Sequence, residues 1–196
     1  LLLLNLPNVE KKFNSSINNR EMFQQIDMEL VADLDKLIHK DEIVAFLPWR
    51  NDFLVNYVAS VLSVRAYNIG GDKNLQSARQ NWPSLLREFP MARVDEVFAD
   101  RVFLMLMRGE ADVVVLPYID LLWAAHTWPP KVNFKNEFAA VLPELAGNEY
   151  LNFIQTDYFS LLRLRSEYTN EAKNGSLIKD ISLEKCLSPY CVQLEG

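Results

Sequence analysis

The sequence predicts an α/β fold, with a mostly parallel three-layer sheet, helices on both faces of the sheet and a C-terminal β-hairpin. Short apolar runs without polar interruption, such as the run at 113–117, are typical of strands buried on both faces of a parallel sheet. Longer segments in which apolar residues recur every three or four positions predict amphipathic helices. The two kinds of segment alternate along the chain, as they do where helices join parallel strands.

The first three predicted elements are a helix, a strand and a second helix. Apolar residues from Met22 to Ile38 lie three and four positions apart, which predicts an amphipathic helix over this stretch. The unbroken apolar run at 43–47 predicts the first strand. The next helix can be capped by Asn51 or Asp52 and has its apolar face within 53–62.

Proline and glycine residues divide the rest of the chain into elements. Pro83 marks a break or kink in the third helix, and Gly109 ends the fourth at a position where glycine is favoured. The last two strands are predicted to turn near Gln155-Thr156-Asp157. The later elements are, in chain order, a strand at 64–69, helices at 74–89 and 94–107, a strand at 113–117, helices at 119–127 and 136–145, and the hairpin at 150–164.

The pattern divides the chain into three parts. Residues 1–20 are polar after the opening leucines and are predicted to be an extended N-terminal arm or linker, whereas residues 21–165 are predicted to be the α/β domain. Residues 166–196 are predicted to be a loop and a C-terminal tail packed on the same domain, with a last strand at 190–194. The start on Leu1–Leu4 without an initiator methionine predicts a fragment or a processed product.

The composition excludes two classes of protein. The chain of 196 residues carries 20 Lys+Arg and 26 Asp+Glu, a net charge of −6 with neutral histidines. Proteins that bind nucleic acid through its phosphates need clustered basic residues, so nucleic acid is not expected as a partner. The longest apolar stretches are well short of the ~20 residues that span a bilayer, so no membrane span is expected within the sequence.

Cysteine and histidine are too few and too scattered for a metal centre. Cys186 and Cys191 lie five positions apart, and His39 and His126 lie on separate predicted helices far from them. A zinc site needs about four ligands, so a metal is not expected. No other cofactor is predicted. A local disulfide between Cys186 and Cys191 is predicted and implies an oxidising compartment, with two free thiols as the alternative.

Polar and aromatic residues follow three of the predicted strands. The carboxyl ends of parallel strands meet at one edge of the sheet, where ligands bind, so these residues predict a polar cleft with aromatic walls. The alternative is that the aspartates among them only cap helices. The predicted ligand-binding residues are Trp49, Arg50, Asn51, Asp52, Asn68, Gly70, Gly71, Asp72, Lys73, Tyr118, Asp120 and His126.

Sequence motifs of several enzyme classes are missing. The chain has neither the G-x-G-x-x-G of dinucleotide-binding proteins nor the G-x-x-x-x-G-K-[ST] of nucleotide-binding P-loops. It also lacks the G-x-S-x-G of hydrolases and the H-E-x-x-H of metalloproteases. No catalytic residue is therefore assigned, and the chain is not expected to catalyse a reaction alone.

Two passages resemble known families. Leu104 to Val115, an apolar helix followed by glycine, acidic residues and an apolar strand, resembles a passage of type II periplasmic solute-binding folds. More widely, residues 43–165 resemble the soluble C-terminal region of polytopic bacterial membrane proteins of the C-type glycosyltransferase kind. This likeness is carried by the sequences Leu-Pro-Trp-Arg-Asn-Asp-Phe-Leu-Val-Asn-Tyr, Tyr-Asn-Ile-Gly-Gly-Asp-Lys-Asn, Ala-Asp-Val-Val-Val-Leu-Pro-Tyr and Tyr-Phe-Ser-Leu-Leu-Arg-Leu.

The wider resemblance implies a location and a partner. In that group the membrane portion carries the catalytic acid and uses a lipid-linked sugar, while the soluble part faces the periplasm. The expected function is an accessory domain on the periplasmic side of the inner membrane, attached to a membrane-embedded chain, that binds a glycan or a lipid-linked acceptor. One alternative is a stand-alone enzyme or a solute-binding domain for a small sugar or phosphorylated ligand, with Asp52, Asp72 or His126 as acid or base in the enzyme. The other is a purely structural or oligomerising domain with no ligand.

Overall fold

The computed structural model of the chain describes residues 6–49, 52–67, 77, 79–90, 93–119 and 134–173. The α-helices are α1 (Leu6–Ile26), α2 (Ala32–Leu37), α3 (Asp52–Leu62), α4 (Ser84–Glu88), α5 (Phe98–Met107), α6 (Leu142–Gly147) and α7 (Ser166–Lys173). A π-helical turn (Asp27–Val31) joins α1 to α2, and a 3-10 helix covers Lys135–Phe138. The strands are β1 (Ile43–Phe46), β2 (Arg65–Ala66), β3 (Val113–Pro117), β4 (Leu151–Gln155) and β5 (Phe159–Leu164).

The five strands form one open sheet in the order β2-β1-β3-β5-β4. β1 pairs in parallel with β2 and with β3, whereas β5 pairs antiparallel with β3 and with β4. Every described strand except β5 therefore points in the same direction. The prediction of a mixed α/β fold whose sheet has a parallel core is confirmed.

Successive residues of the central strands contribute to two separate buried clusters, because side chains alternate across a strand. One of them, which we call cluster A, contains Val44 and Phe46 of β1, and the other, cluster B, contains Ala45 of the same strand. Cluster A also contains residues of α1, α2 and α3, and cluster B contains residues of α4, α5 and α6. Strands buried on both faces are expected to be apolar throughout, which explains the unbroken apolar runs of β1 and β3.

The predicted extended arm is wrong for residues 6–20, because these residues belong to α1. Met22 and Ile26, at the end of α1, are buried in cluster A and anchor the helix. Extending a helix that already exists avoids the cost of a new nucleus, so polar residues can continue it towards the N-terminus. Pro7 is tolerated in the first turn, where its missing N–H has no helical partner to lose.

The polar loop predicted after the last strand is also wrong, since residues 166–173 form α7. Tyr168 is its apolar anchor. The ring packs against cluster B and lies 5.0 Å, between centroids, from the ring of Tyr150. A single partly buried aromatic residue in a polar segment produces no apolar periodicity, so the sequence pattern did not reveal the helix.

Other element boundaries shift towards shorter elements. β2 covers only Arg65–Ala66, and the helix predicted at 136–145 is divided into the 3-10 helix and α6, which has Pro143 in its first turn. Gly109 follows α5 with φ of +65°, a left-handed conformation that suits glycine. The predicted helix at 119–127, apart from Ile119, and the predicted strand at 190–194 lie outside the described residues.

Within the part of the chain that the structure describes, no helix combines the length and the hydropathy needed to cross a bilayer.

Candidate functional site

The direction in which successive strands are added to the sheet changes between β1 and β3, because β2 lies on one side of β1 and β3 lies on the other. It leaves β1 through α3, which packs in cluster A, and it reaches β3 from β2 through α4 and α5, which pack in cluster B. Adjacent parallel strands whose connections contribute to different clusters leave a crevice beyond their carboxyl ends. We call the side of the sheet on which β1, β2, β3 and β4 end the carboxyl edge.

Few of the predicted site residues fall in the described part of the chain. Trp49 follows β1, Tyr118 follows β3, and both lie at the carboxyl edge, as the parallel arrangement requires. Asp52 is the first residue of α3. The residues that lie outside the described part are Arg50, Asn51, Asn68, Gly70, Gly71, Asp72, Lys73, Asp120, His126, Cys186 and Cys191.

Trp49 packs in the core beneath the carboxyl edge. The side chain is only 4% exposed, and its Nε1 donates a hydrogen bond to the Phe89 carbonyl oxygen at 2.8 Å. The ring meets that of Trp82 edge to face, with centroids 5.6 Å apart, and the Arg79 guanidinium carbon lies 4.5 Å from the Trp49 ring centroid. In this position Trp49 joins β1 to α4 rather than presenting a ring face to solvent.

Tyr118 is fully buried, yet its hydroxyl reaches a residue at the surface. Its backbone N–H donates to the Tyr158 carbonyl oxygen at 2.8 Å, and its hydroxyl is hydrogen-bonded to Ser160 Oγ. The same hydroxyl accepts a hydrogen bond from Gln155 Nε2 at 2.9 Å, and the Lys135 Nζ lies 5.3 Å from the ring centroid. Tyr118 therefore connects the core to two polar residues, Gln155 and Lys135.

These polar residues border an open cavity of about 450 Å³ at the carboxyl edge. The cavity lies there because β4 runs parallel in direction to β3, so β4 ends at this edge and turns back into β5. Its volume falls within the range usual for small-molecule sites. The residues that line this edge cavity are Asp33, Lys135, Gln155, Thr156, Asp157 and Tyr158.

Thr156 fixes the shape of the turn between β4 and β5. Its Oγ1 accepts hydrogen bonds from the backbone N–H groups of Tyr158, at 3.2 Å, and Phe159, at 3.1 Å. Its own N–H donates to the Phe159 carbonyl oxygen at 2.8 Å. A threonine that satisfies backbone donors in this way holds a tight turn, and Asp157 is left exposed at the tip.

The sequence predicts Gln155-Thr156-Asp157 only as a turn. The signal that was available is a polar turn directly after a strand. The turn lies at the carboxyl edge because β4 runs in the same direction as β3. This direction follows from the pairing of β5 between β3 and β4. This pairing is a tertiary property, and the apolar pattern of each strand does not encode it.

Two carboxylates of the π-helical turn accept hydrogen bonds from tyrosines on other elements. Tyr57 of α3 donates its hydroxyl hydrogen bond to Asp27 Oδ1, and Tyr158 donates to Glu29 Oε2 at 2.6 Å. Burial, and then the hydrogen bond to Asp27, raise the pKa of Tyr57 to about 12. The hydrogen bond to Glu29, and then burial, raise the pKa of Tyr158 to about 12. Tyr158 thereby links the edge cavity to the π-helical turn that joins α1 to α2.

We expect stability to fall at alkaline pH because of these two tyrosines. The ordinary pKa of these tyrosines is 10.0 and their pKa in the fold is about 12. Below pH 10 they are therefore protonated in the folded and in the unfolded chain, and their hydrogen bonds stabilise the fold fully. As the pH rises from 10 towards 12 the unfolded chain loses these protons first, and the stabilisation is lost. Urea unfolding across this interval measures it. In Glu29→Gln the decline attributable to Tyr158 should shrink, and an unchanged decline would contradict the assignment.

A larger cavity, of about 960 Å³, lies at the opposite edge, where β1 and β3 begin. Several charged residues that line this cavity make contacts between different segments of the chain. Asp112 Oδ2 accepts a hydrogen bond from the Ile43 N–H at 2.9 Å, and Arg65 donates to the Asp41 carbonyl oxygen at 2.8 Å. Arg163 pairs with Glu42 at 3.2 Å. We therefore favour the smaller cavity as the ligand site, because the rule for open α/β sheets places ligands at the carboxyl edge.

In the described part of the chain, histidine, cysteine, aspartate and glutamate form no group of three or more that could hold a metal ion.

Comparison with protein-family models, with curated proteins and with solved structures gives no match to the chain. The functional conclusion therefore depends on the geometry of the carboxyl edge.

Proposed function

We propose that the domain is a binding module that holds a sugar or a glycan at the carboxyl edge. The observation that carries this proposal is the position of the edge cavity at the carboxyl end of β4, on the side of the sheet where β3 also ends. Ligands of open α/β sheets bind at this kind of place. The cavity is open to solvent, so part of a longer glycan can extend beyond it.

The chemistry of the lining suits a ligand rich in hydroxyl groups. Asp33 and Asp157 supply acceptors, Lys135 supplies donors, and the carboxamide oxygen of Gln155 supplies a further acceptor. Tyr158 adds an aromatic ring of the sort against which the apolar face of a sugar packs. Among the described residues that line the cavity, one ammonium stands beside two carboxylates, a balance without excess positive charge that favours a neutral sugar over a phosphorylated one.

The proposal includes the finer architecture predicted from the sequence. We take the sheet to be the middle of three layers and β4–β5 to be a hairpin whose turn forms one side of the site. The two buried clusters and the antiparallel pairing of β4 with β5 support this arrangement. The order of α5, Gly109 and β3 also supports the resemblance to solute-binding folds at 104–115.

Attachment to a membrane-embedded glycosyltransferase-like chain, with the domain on the periplasmic side, stays a prediction that the sequence resemblance alone supports.

Two aspartates of α2 provide a matched test of sugar binding. Asp33 lines the edge cavity, whereas Asp35 is exposed and does not line it. We expect Asp33→Asn to weaken binding of a neutral monosaccharide by about tenfold, the loss of a charge-assisted hydrogen bond, and Asp35→Asn to leave it unchanged. Titration calorimetry with glucose, galactose, mannose and N-acetylglucosamine gives the affinities.

Thermal melts of both variants serve as the control. Asp33 also pairs with Lys36 at 2.8 Å, but both side chains are well exposed and such pairs add little to stability. Equal melting temperatures together with a selective loss of affinity in Asp33→Asn would support the proposal. Equal affinities in the two variants would contradict the placement of the site.

A further inference from the structure

We infer that Gln155 selects the ligand by accepting a hydrogen bond from one of its hydroxyl groups, and that Tyr118 acts as the positioning residue for Gln155. This inference rests on the proposed function, because it concerns the same cavity. It goes further by assigning the group that distinguishes a free hydroxyl from a methylated or missing one.

The first step is the rigidity of Tyr118. The residue is 0% exposed, its backbone N–H is bonded to the Tyr158 carbonyl, and its hydroxyl is bonded to Ser160 Oγ, itself fully buried. Its ring also packs against that of Phe138, with centroids 6.0 Å apart. A tyrosine that is held by one backbone hydrogen bond, one hydroxyl hydrogen bond and close packing offers its hydroxyl at a fixed position.

The second step is the orientation of the Gln155 carboxamide. Gln155 is the last residue of β4, it is exposed, and it lines the edge cavity. Its Nε2 donates to the Tyr118 hydroxyl at 2.9 Å, which fixes one end of the planar amide. Among the described residues, none is bonded to its Oε1. The oxygen is therefore the end of the amide that remains to accept a hydrogen bond from a ligand.

The third step is what such an acceptor recognises. A carbonyl oxygen accepts from O–H or N–H and gains nothing from an ether oxygen or a C–H group. A ligand that lacks the hydroxyl leaves a fixed polar group without its partner, which is the situation in which hydrogen-bonding sites discriminate well. The structure thus favours a sugar with a free hydroxyl over its deoxy or O-methyl analogue.

The experiment measures the affinity of the best-bound monosaccharide of the four for the full chain and three variants. Gln155→Ala removes the acceptor, and Tyr118→Phe removes only the hydroxyl that orients it. Asn152→Ala is the control, since Asn152 is exposed on the same strand but lies at its other end. We expect about a tenfold loss in Gln155→Ala, a similar loss in Tyr118→Phe, and no change in Asn152→Ala.

The combined variant and an NMR signal test the coupling directly. With both substitutions the loss should be no greater than with Gln155→Ala alone, because the two act through one hydrogen bond to the ligand. The Gln155 side-chain amide should exchange its protons slowly in the wild type and rapidly in Tyr118→Phe, even without ligand. The deoxy and O-methyl analogues of the same sugar should bind to the wild type about as weakly as the parent sugar binds to Gln155→Ala.

Each contrary result has a distinct meaning. Wild-type affinity in Gln155→Ala would overturn the role of Gln155 while sugar binding by the wild type still upheld the proposed function. Loss in Gln155→Ala with full affinity and slow amide exchange in Tyr118→Phe would overturn the role of Tyr118. Failure of the wild type to bind any of the four sugars would contradict the proposed function, and this inference with it.

Discussion

Trp49→Ala is expected to lower the free energy of unfolding by about 3–5 kcal/mol, the usual cost of truncating a buried aromatic side chain. Trp49 is almost completely buried, packs against Trp82 and donates a hydrogen bond to the carbonyl of Phe89. Its removal leaves a cavity between β1 and α4, and it leaves that carbonyl without its donor. Urea unfolding followed by circular dichroism measures the loss.

Two further substitutions control for this result. Trp49→Phe keeps an aromatic ring and loses the indole N–H, so it should cost less than Trp49→Ala. Met28→Ala removes a side chain that is 71% exposed and should change stability by no more than about 0.5 kcal/mol. If Trp49→Ala were as mild as Met28→Ala, the Trp49 ring would not be packed as described, and the result would favour its predicted role as a wall of the cleft.

Tyr118→Ala should be comparably destabilising, by about 3–5 kcal/mol. The ring is fully buried among residues of cluster B, and its hydroxyl is bonded to Ser160, which would be left buried without this partner. Tyr118→Phe should cost only about 1–3 kcal/mol, since the packing survives and the hydrogen bonds do not. The same unfolding measurement compares the two. Equal, small effects would contradict the burial of Tyr118.

The sequence was sufficient to predict the core of the sheet. The apolar runs at 43–47 and 113–117 became β1 and β3, because a strand buried on both faces has no polar positions. The parallel direction of these strands then required Trp49 and Tyr118 to lie at the same edge, which they do.

The roles of those two aromatic residues depended on tertiary packing. An aromatic residue after a strand can line a cleft or fill the core, and the sequence pattern is the same in both cases. The difference arises because α4 packs beside Trp49 and Phe138 packs beside Tyr118, and both neighbours are distant in sequence. The edge cavity was missed for a related reason, since it is formed by α2, the 3-10 helix and the β4–β5 turn.

The N-terminal part of α1 and the whole of α7 were missed because both are polar. Phe13 and Ile17 are exposed, so residues 12–21 bury little apolar surface that would produce a periodic pattern. α7 has Tyr168 as its apolar anchor. Such helices form because buried residues within them or next to them already hold the chain in place.

Titration of isotopically labelled protein with the four monosaccharides, followed by backbone NMR, tests the central claim most directly. If the carboxyl edge is the sugar site, the largest shift changes should fall on Asp33, Lys135 and residues 155–158, with little change around Asp112 and Arg163 at the opposite edge. Changes centred on the larger cavity at that opposite edge, or no saturable change with any of the sugars, would contradict the claim.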